Sequence, residues 1–261
     1  MTSWTFGGTA LSTFGVVTVI DDYLDTADRR GENITIPLRH GRIFTSKYYD
    51  ERTISMGVAI SAATAAALET ALDNLRELLS PRTEQTLAMT MEDATVRNTS
   101  ATVNKPLNVS RRGSKIALVT IQFDCVSPFW RLSTAIADNT TAITTSPNAM
   151  TVTNPGTIEE RDPTIIIHGA FTSITITNST NGASLTYTGA IATGETVTIG
   201  TLNGEYYATL STGSANVIGN VTHSGSAALL PLNVGDNTLA ITNAGRDANS
   251  TVKITFNAPY L

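Results

Sequence analysis

The chain of 261 residues has a single cysteine, Cys125, so it can form neither an intrachain disulfide nor a thiolate metal site. A lone thiol suits folding in a reducing cytoplasm. No stretch approaches the roughly 20 consecutive apolar residues needed to cross a bilayer, so no membrane anchor is expected. Residues 1–20 carry no charge, but they lack a basic start and are broken by Gly7, Gly8 and Gly15, a poor pattern for a secretory signal. Basic charge is short as well. With 17 Lys/Arg against 22 Asp/Glu and a net charge of −5, the chain has no footprint for neutralising phosphates, which disfavours a nucleic-acid-binding module.

Catalytic patterns are also scarce. His40, His168 and His223 are isolated from each other and from any metal-ligand spacing, so no metal is expected. Asp50–Glu51 and Glu159–Glu160 are adjacent carboxylates, and neighbours on a strand point to opposite faces; both pairs are expected in solvent, without an acid/base role. The glycines form no phosphate-cradling motif. Neither an enzyme nor a cofactor is expected.

What the chain does have is one convincing helix. From Ser61 to Leu79, Leu68, Leu72, Leu75 and Leu79 recur at three- and four-residue spacing, with Ala71 and Leu78 widening the stripe. Ser61 or Thr64 can cap its start, and Pro81 ends it at Ser80. Just before it, Ile54, Met56, Val58 and Ile60 alternate with small or polar residues, which predicts a strand with one buried face. Leu87, Met89 and Met91 repeat that pattern. So do Ala117, Val119, Ile121, Phe123 and Cys125, which places Cys125 in the core. Val16–Ile20 is a short apolar run, and the charged residues from Asp21 to Arg30 are expected to form a loop.

Charge divides the chain. Up to Ser133 there are 14 Lys/Arg and 14 Asp/Glu; beyond it there are 3 and 8. The shift falls beside residues 135–154, an aromatic-free, turn-rich passage expected to be a linker. The sequence therefore predicts a mainly β protein with one packed helix, made of domains 1–134 and 155–261. The second shows short strands with Asn181–Gly182 and Asn203–Gly204 turn signals and no helical periodicity, as in a β-sandwich.

Taken in order, several segments resemble the distal tail protein family of long-tailed siphophages. They are Gly41–Arg–Ile–Phe, Tyr48–Tyr–Asp–Glu–Arg–Thr–Ile54, the single helix, and Asp124–Cys–Val–Ser–Pro–Phe–Trp130. Asn154–Pro–Gly156, Pro163–Thr–Ile–Ile–Ile–His–Gly169, the Asn178–Gly182 hairpin, Leu232–Asn–Val–Gly–Asp–Asn237 and the Ala258–Pro–Tyr–Leu end continue the match. The resemblance implies a tail-tube-like first domain that forms a homohexameric ring and a galectin-like second domain that projects outward. It also implies a virion location at the distal end of the tail after synthesis in the host cytoplasm. The implied partners are further copies of the chain, the tail tube protein and the tail-tip hub or baseplate protein, with genome DNA only passing through the pore. Arg39, Arg42, Asp50, Glu51, Arg52, Phe129 and Trp130 are the expected contacts between subunits. The alternative is a carbohydrate-binding module or host-surface adhesin, for which Tyr187, Tyr206 and Tyr207 are candidate aromatics.

Overall fold

The computed structural model describes residues 2–20, 26–31, 34–35, 40, 42–43, 48–105, 107–202, 204–224 and 228–261. The chain forms two compact units, Met1–Ser133 with Leu261, and Thr134–Tyr260.

The core of the first unit is an antiparallel sheet. Its strands follow the order Thr9–Ala10, Ser3–Phe6, Gln85–Thr90, Val96–Thr102, Ile116–Cys125, Arg52–Ser61 and Val16–Val19. The two ten-residue strands, Arg52–Ser61 and Ile116–Cys125, pair along their whole length, from Ser61 opposite Ile116 to Arg52 opposite Cys125. Strict alternation buries Ile54, Met56, Val58 and Ile60 with Ala117, Val119, Ile121, Phe123 and Cys125 on one face. Helix α1, Ala65–Leu78, packs against the Arg52–Ser61 strand and buries Leu68, Leu72 and Leu75; Leu79 is buried just beyond it. Each such leucine contributes about 1.5–3 kcal/mol.

The helix starts later than its leucine spacing alone predicts. Ser61 stays in the sheet opposite Ile116, and the Ala62 N–H donates to the Lys115 carbonyl at 2.9 Å. Thr64 is therefore the cap, its Oγ1 accepting from the Ala67 N–H at 3.1 Å. The segment expected as a charged loop also differs, because Arg29–Arg30 pair with Tyr48–Tyr49. Its residues 21–25 lie outside the described residues. Gly15 lets the chain reach the edge of the sheet, since a Cβ there would stand 2.1 Å from the Ala59 carbonyl oxygen.

The second unit is a pair of five-stranded antiparallel sheets. One runs Ile136–Ala142, Thr251–Phe256, Thr164–His168, Thr196–Leu202 and Glu205–Leu210; the other runs Asn148–Asn154, Gly235–Ala244, Ser173–Asn178, Ser184–Tyr187 and Val221–His223. Ile165, Ile167, Val197, Ile199, Val252 and Ile254 from the first sheet are buried, as are Val152, Ile174, Ile176, Leu185, Leu239 and Ile241 from the second. Thr164–His168 is a central strand, as its apolar run predicts.

Residues 135–154 are not a linker. They supply an edge strand to each sheet and bury Ile143, Met150, Val152 and Asn154. Edge strands with a polar outer face carry few apolar residues and no aromatics, so composition makes them look like connectors.

Candidate assembly surface

The expected contact residues separate into buried and exposed groups. Arg52 and Trp130 are 7% and 2% exposed, with the Arg52 guanidinium over the Trp130 ring at 5.9 Å. Trp4 packs on Trp130 at 5.9 Å and 58°. These two side chains are therefore part of the packed first unit. The cation lies on an aromatic face, a pairing that sequence spacing does not reveal.

Beside them lies a second stack that is partly open. Phe129 meets the Tyr49 ring edge-on at 5.6 Å, and Arg29 covers Tyr49 at 5.0 Å while donating from Nη2 to the Tyr49 hydroxyl at 2.9 Å. Tyr48 is exposed. Asp50 is half-buried, its N–H donating to the Asp28 carbonyl at 2.7 Å and its Oδ1 accepting from the Glu51 N–H at 3.0 Å; Glu51 is exposed. The Arg42 backbone pairs with Thr35, while Arg39 lies outside the described residues. Of the carboxylates expected in solvent, Glu160 is buried.

An exposed apolar patch among the described residues of the first unit was not among the expected contacts. On the sheet face away from the buried one, Val16 and Leu118 are 70% and 41% exposed and flank Ala59 in register. Ile20 lies over Gly57, whose Cβ position is 3.8 Å from the Ile20 Cδ1, and Ile116 is also exposed. Small residues, Ser55, Gly57 and Ala59, form the strand between them. The signal was present in the sequence: Ile116 and Leu118 are apolar at positions where a half-buried strand expects polar residues.

Among the described residues no group of His, Cys, Asp and Glu could hold a metal ion. Cys125 is fully buried, and its thiol is pushed up to about 12, chiefly by burial, with nearby Asp124 adding and Arg52 opposing.

Comparison with known proteins gives these surfaces a context. Residues 11–125 match the phage tail protein RIFT-related domain family. The whole chain has the fold of the Dit protein of phage SPP1, described as a paradigm of the hub adsorption apparatus in phages infecting Gram-positive bacteria. Identity is 15%, the TM-score is 0.72, and 98% of this chain and 99% of that one are covered. It is similar, at 9% identity, to chains of the phage P2 baseplate in its activated conformation with calcium or strontium. Their TM-scores are 0.50 and 0.51, with full coverage of both chains. No curated protein sequence matches.

Proposed function

We propose that this chain is a structural protein of a long-tailed phage virion, forming a homohexameric ring at the distal end of the tail tube and serving as attachment hub for the baseplate or tail tip. The observation that carries this reading is the correspondence to SPP1 Dit across both units, joined to the tail-domain match over residues 11–125. The first unit is the tail-tube-like, ring-forming one and the second a galectin-like sandwich. No catalytic step is assigned.

The physical argument rests on incompleteness. Val16–Val19 is an edge strand, and the apolar face beside it is uncovered within the unit, a condition that favours pairing with another chain. Balanced charge in this half, 14 cations and 14 anions, lets copies meet without net repulsion. A pore for genome passage also gains from having no cationic surplus.

Electron microscopy of the purified chain, alone and mixed with a cognate tail tube protein, tests the proposal. Six-fold rings with residues 1–133 around the opening are expected. A chain that stays monomeric under both conditions, or a reconstruction with residues 155–261 around the pore, would overturn it.

A further inference from the structure

The second unit contains an open cleft of about 340 Å³ with a mixed lining, polar from Glu159, Arg161, Asn181, Ser224 and Asn233 and apolar from Pro231 and two alanines. Its walls are fixed by hydrogen bonds to an unusual degree. Asn154, Asn178 and Asn237 are each 0% exposed, and all three serve the Pro231–Gly235 segment. The Pro231 carbonyl accepts from Nδ2 of Asn178 and of Asn181, both at 2.9 Å. Asn154 Nδ2 donates to the Leu232 carbonyl at 3.2 Å. Asn237 holds Asn233 from both sides, accepting from its N–H at 2.9 Å and donating to its carbonyl at 2.8 Å. The opposite wall is tied to the same segment, because Glu160 and Leu232 exchange backbone hydrogen bonds of 3.0 and 2.7 Å. Glu160 turns inward while Glu159 and Arg161 face outward.

Burying three primary amides costs desolvation that only complete hydrogen bonding offsets, and a plain polar turn could close the sheet end without it. The result is a cleft whose polar groups are positioned in advance, which removes the ordering cost that a loose loop incurs on binding. The chemistry of the lining is mixed. A carboxylate accepts from hydroxyls and a guanidinium donates to them, as can the Asn233 Nδ2 and the Ser224 hydroxyl, whose oxygens accept from Asn181 and from the Ser184 N–H. Glu159 and Arg161 cancel in charge, so neither an anion nor a cation is favoured. The volume falls at the lower end of the roughly 300–1,000 Å³ typical of small-molecule sites. Ser224 follows His223, whose ring stands edge-on to Tyr206 at 5.9 Å. Tyr206 in turn donates to Asp162, next to Arg161, at 3.2 Å, so an aromatic pair adjoins two lining residues in the chain.

We propose that this cleft is a saccharide-binding site for a neutral pyranose of one or two rings, its hydroxyls held by Glu159, Arg161 and the Asn233 amide, with Asn181 bracing the wall through its bonds to Pro231, Asn233 and Ala183. The site goes beyond the hub function and does not depend on ring formation.

The test uses the full chain and saturation-transfer NMR with glucose, galactose, rhamnose, N-acetylglucosamine and their disaccharides, followed by calorimetric titration of any sugar that binds. At least one neutral sugar is expected to bind saturably. Arg161→Ala and Glu159→Gln, both at exposed positions, are expected to weaken it about tenfold or more with unchanged melting temperature. Glu77→Gln, at the separate cavity beside the end of α1, should leave affinity unchanged. Absence of saturable binding by every neutral sugar overturns the site. Tighter binding of glucuronate or glucosamine than of their neutral counterparts does so too, as does affinity indifferent to Arg161→Ala and Glu159→Gln. Because the readout is sugar binding and not assembly, failure here and failure of the ring are separate results.

Discussion

The two units solve the same problem, covering a β-sheet, in opposite ways. In the second, two sheets bury their inner faces and the loop end is sealed by Asn154, Asn178 and Asn237. In the first, one helix covers one face while Val16, Ile20, Ile116 and Leu118 stay in water on the other. A unit that uses buried amides to finish its own structure is built to stand alone; a unit that leaves an apolar face bare is built to be completed by something else. The comparison places the buried amides in one half of the chain and the bare apolar face in the other.

The strongest way to break this contrast is to remove a sealing amide. Asn237→Ala leaves the carbonyls of Val152, Asn233 and Gly235 and the Asn233 N–H without their partner, and at 1–3 kcal/mol per unsatisfied group the loss is on the order of 4 kcal/mol. Calorimetry should show the transition of the second unit moving down while that of the first stays in place. A uniform shift of both would mean the units do not unfold separately.

Next in size is Leu72→Ala, which opens a cavity under α1 and is expected to cost about 3 kcal/mol, confined to the first unit. Chemical denaturation followed by fluorescence of Trp4 and Trp130, the two tryptophans and both in this unit, reads it directly. A third change should barely touch stability. Val16→Glu with Leu118→Glu alters exposed side chains and should shift unfolding by less than about 0.5 kcal/mol each. Ring formation should nonetheless be lost, since a charge would be buried wherever a neighbouring copy covers this face. Rings that persist in this variant would show that the bare face is not where copies meet.

Most of this architecture was legible because the chain follows simple periodicities. Leucines at helical spacing placed α1, and alternation placed the Arg52–Ser61 and Ile116–Cys125 strands with the correct faces inward. Thr164–His168 read as a central strand because three consecutive isoleucines leave both of its faces apolar. Failures arose where a residue's role depends on a distant partner. The mutual burial of Trp130 and Arg52, 78 residues apart, has no signal in either residue's own segment. Residues 135–154 read as a linker because polar edge strands and polar linkers share a composition, and the pairings of Ile136–Ala142 with Thr251–Phe256 and of Asn148–Asn154 with Gly235–Ala244 separate them. Glu160 read as solvated like Glu159, although the inward turn that buries it comes from its bridge to Leu232, 72 residues on. The cleft was invisible for the same reason, its lining being drawn from segments that meet only in the folded sandwich.

The smallest effect is also the most discriminating. Cys125 is the sole cysteine and lies in the first unit, so its reactivity reports opening of that unit alone. Its pKa of about 12, raised by burial, means that the folded state disfavours the thiolate. The sign for stability follows: below the unfolded thiol's pKa of roughly 8.5 this contribution is fully present, and it is lost as pH rises toward 12, because the unfolded chain ionises first. Cys125→Ala should cost only about 1 kcal/mol and should flatten that alkaline decline. At pH 8 the native thiol should label about a thousandfold more slowly than free cysteine, a ratio set by the thiolate fraction and lowered further by burial. Leu72→Ala should speed the labelling, since opening of the first unit becomes easier; Asn237→Ala, which loosens only the second, should leave it unchanged. Equal acceleration by both substitutions would mean that the two units open together, and the contrast between a finished half and an unfinished one would not extend to their stabilities.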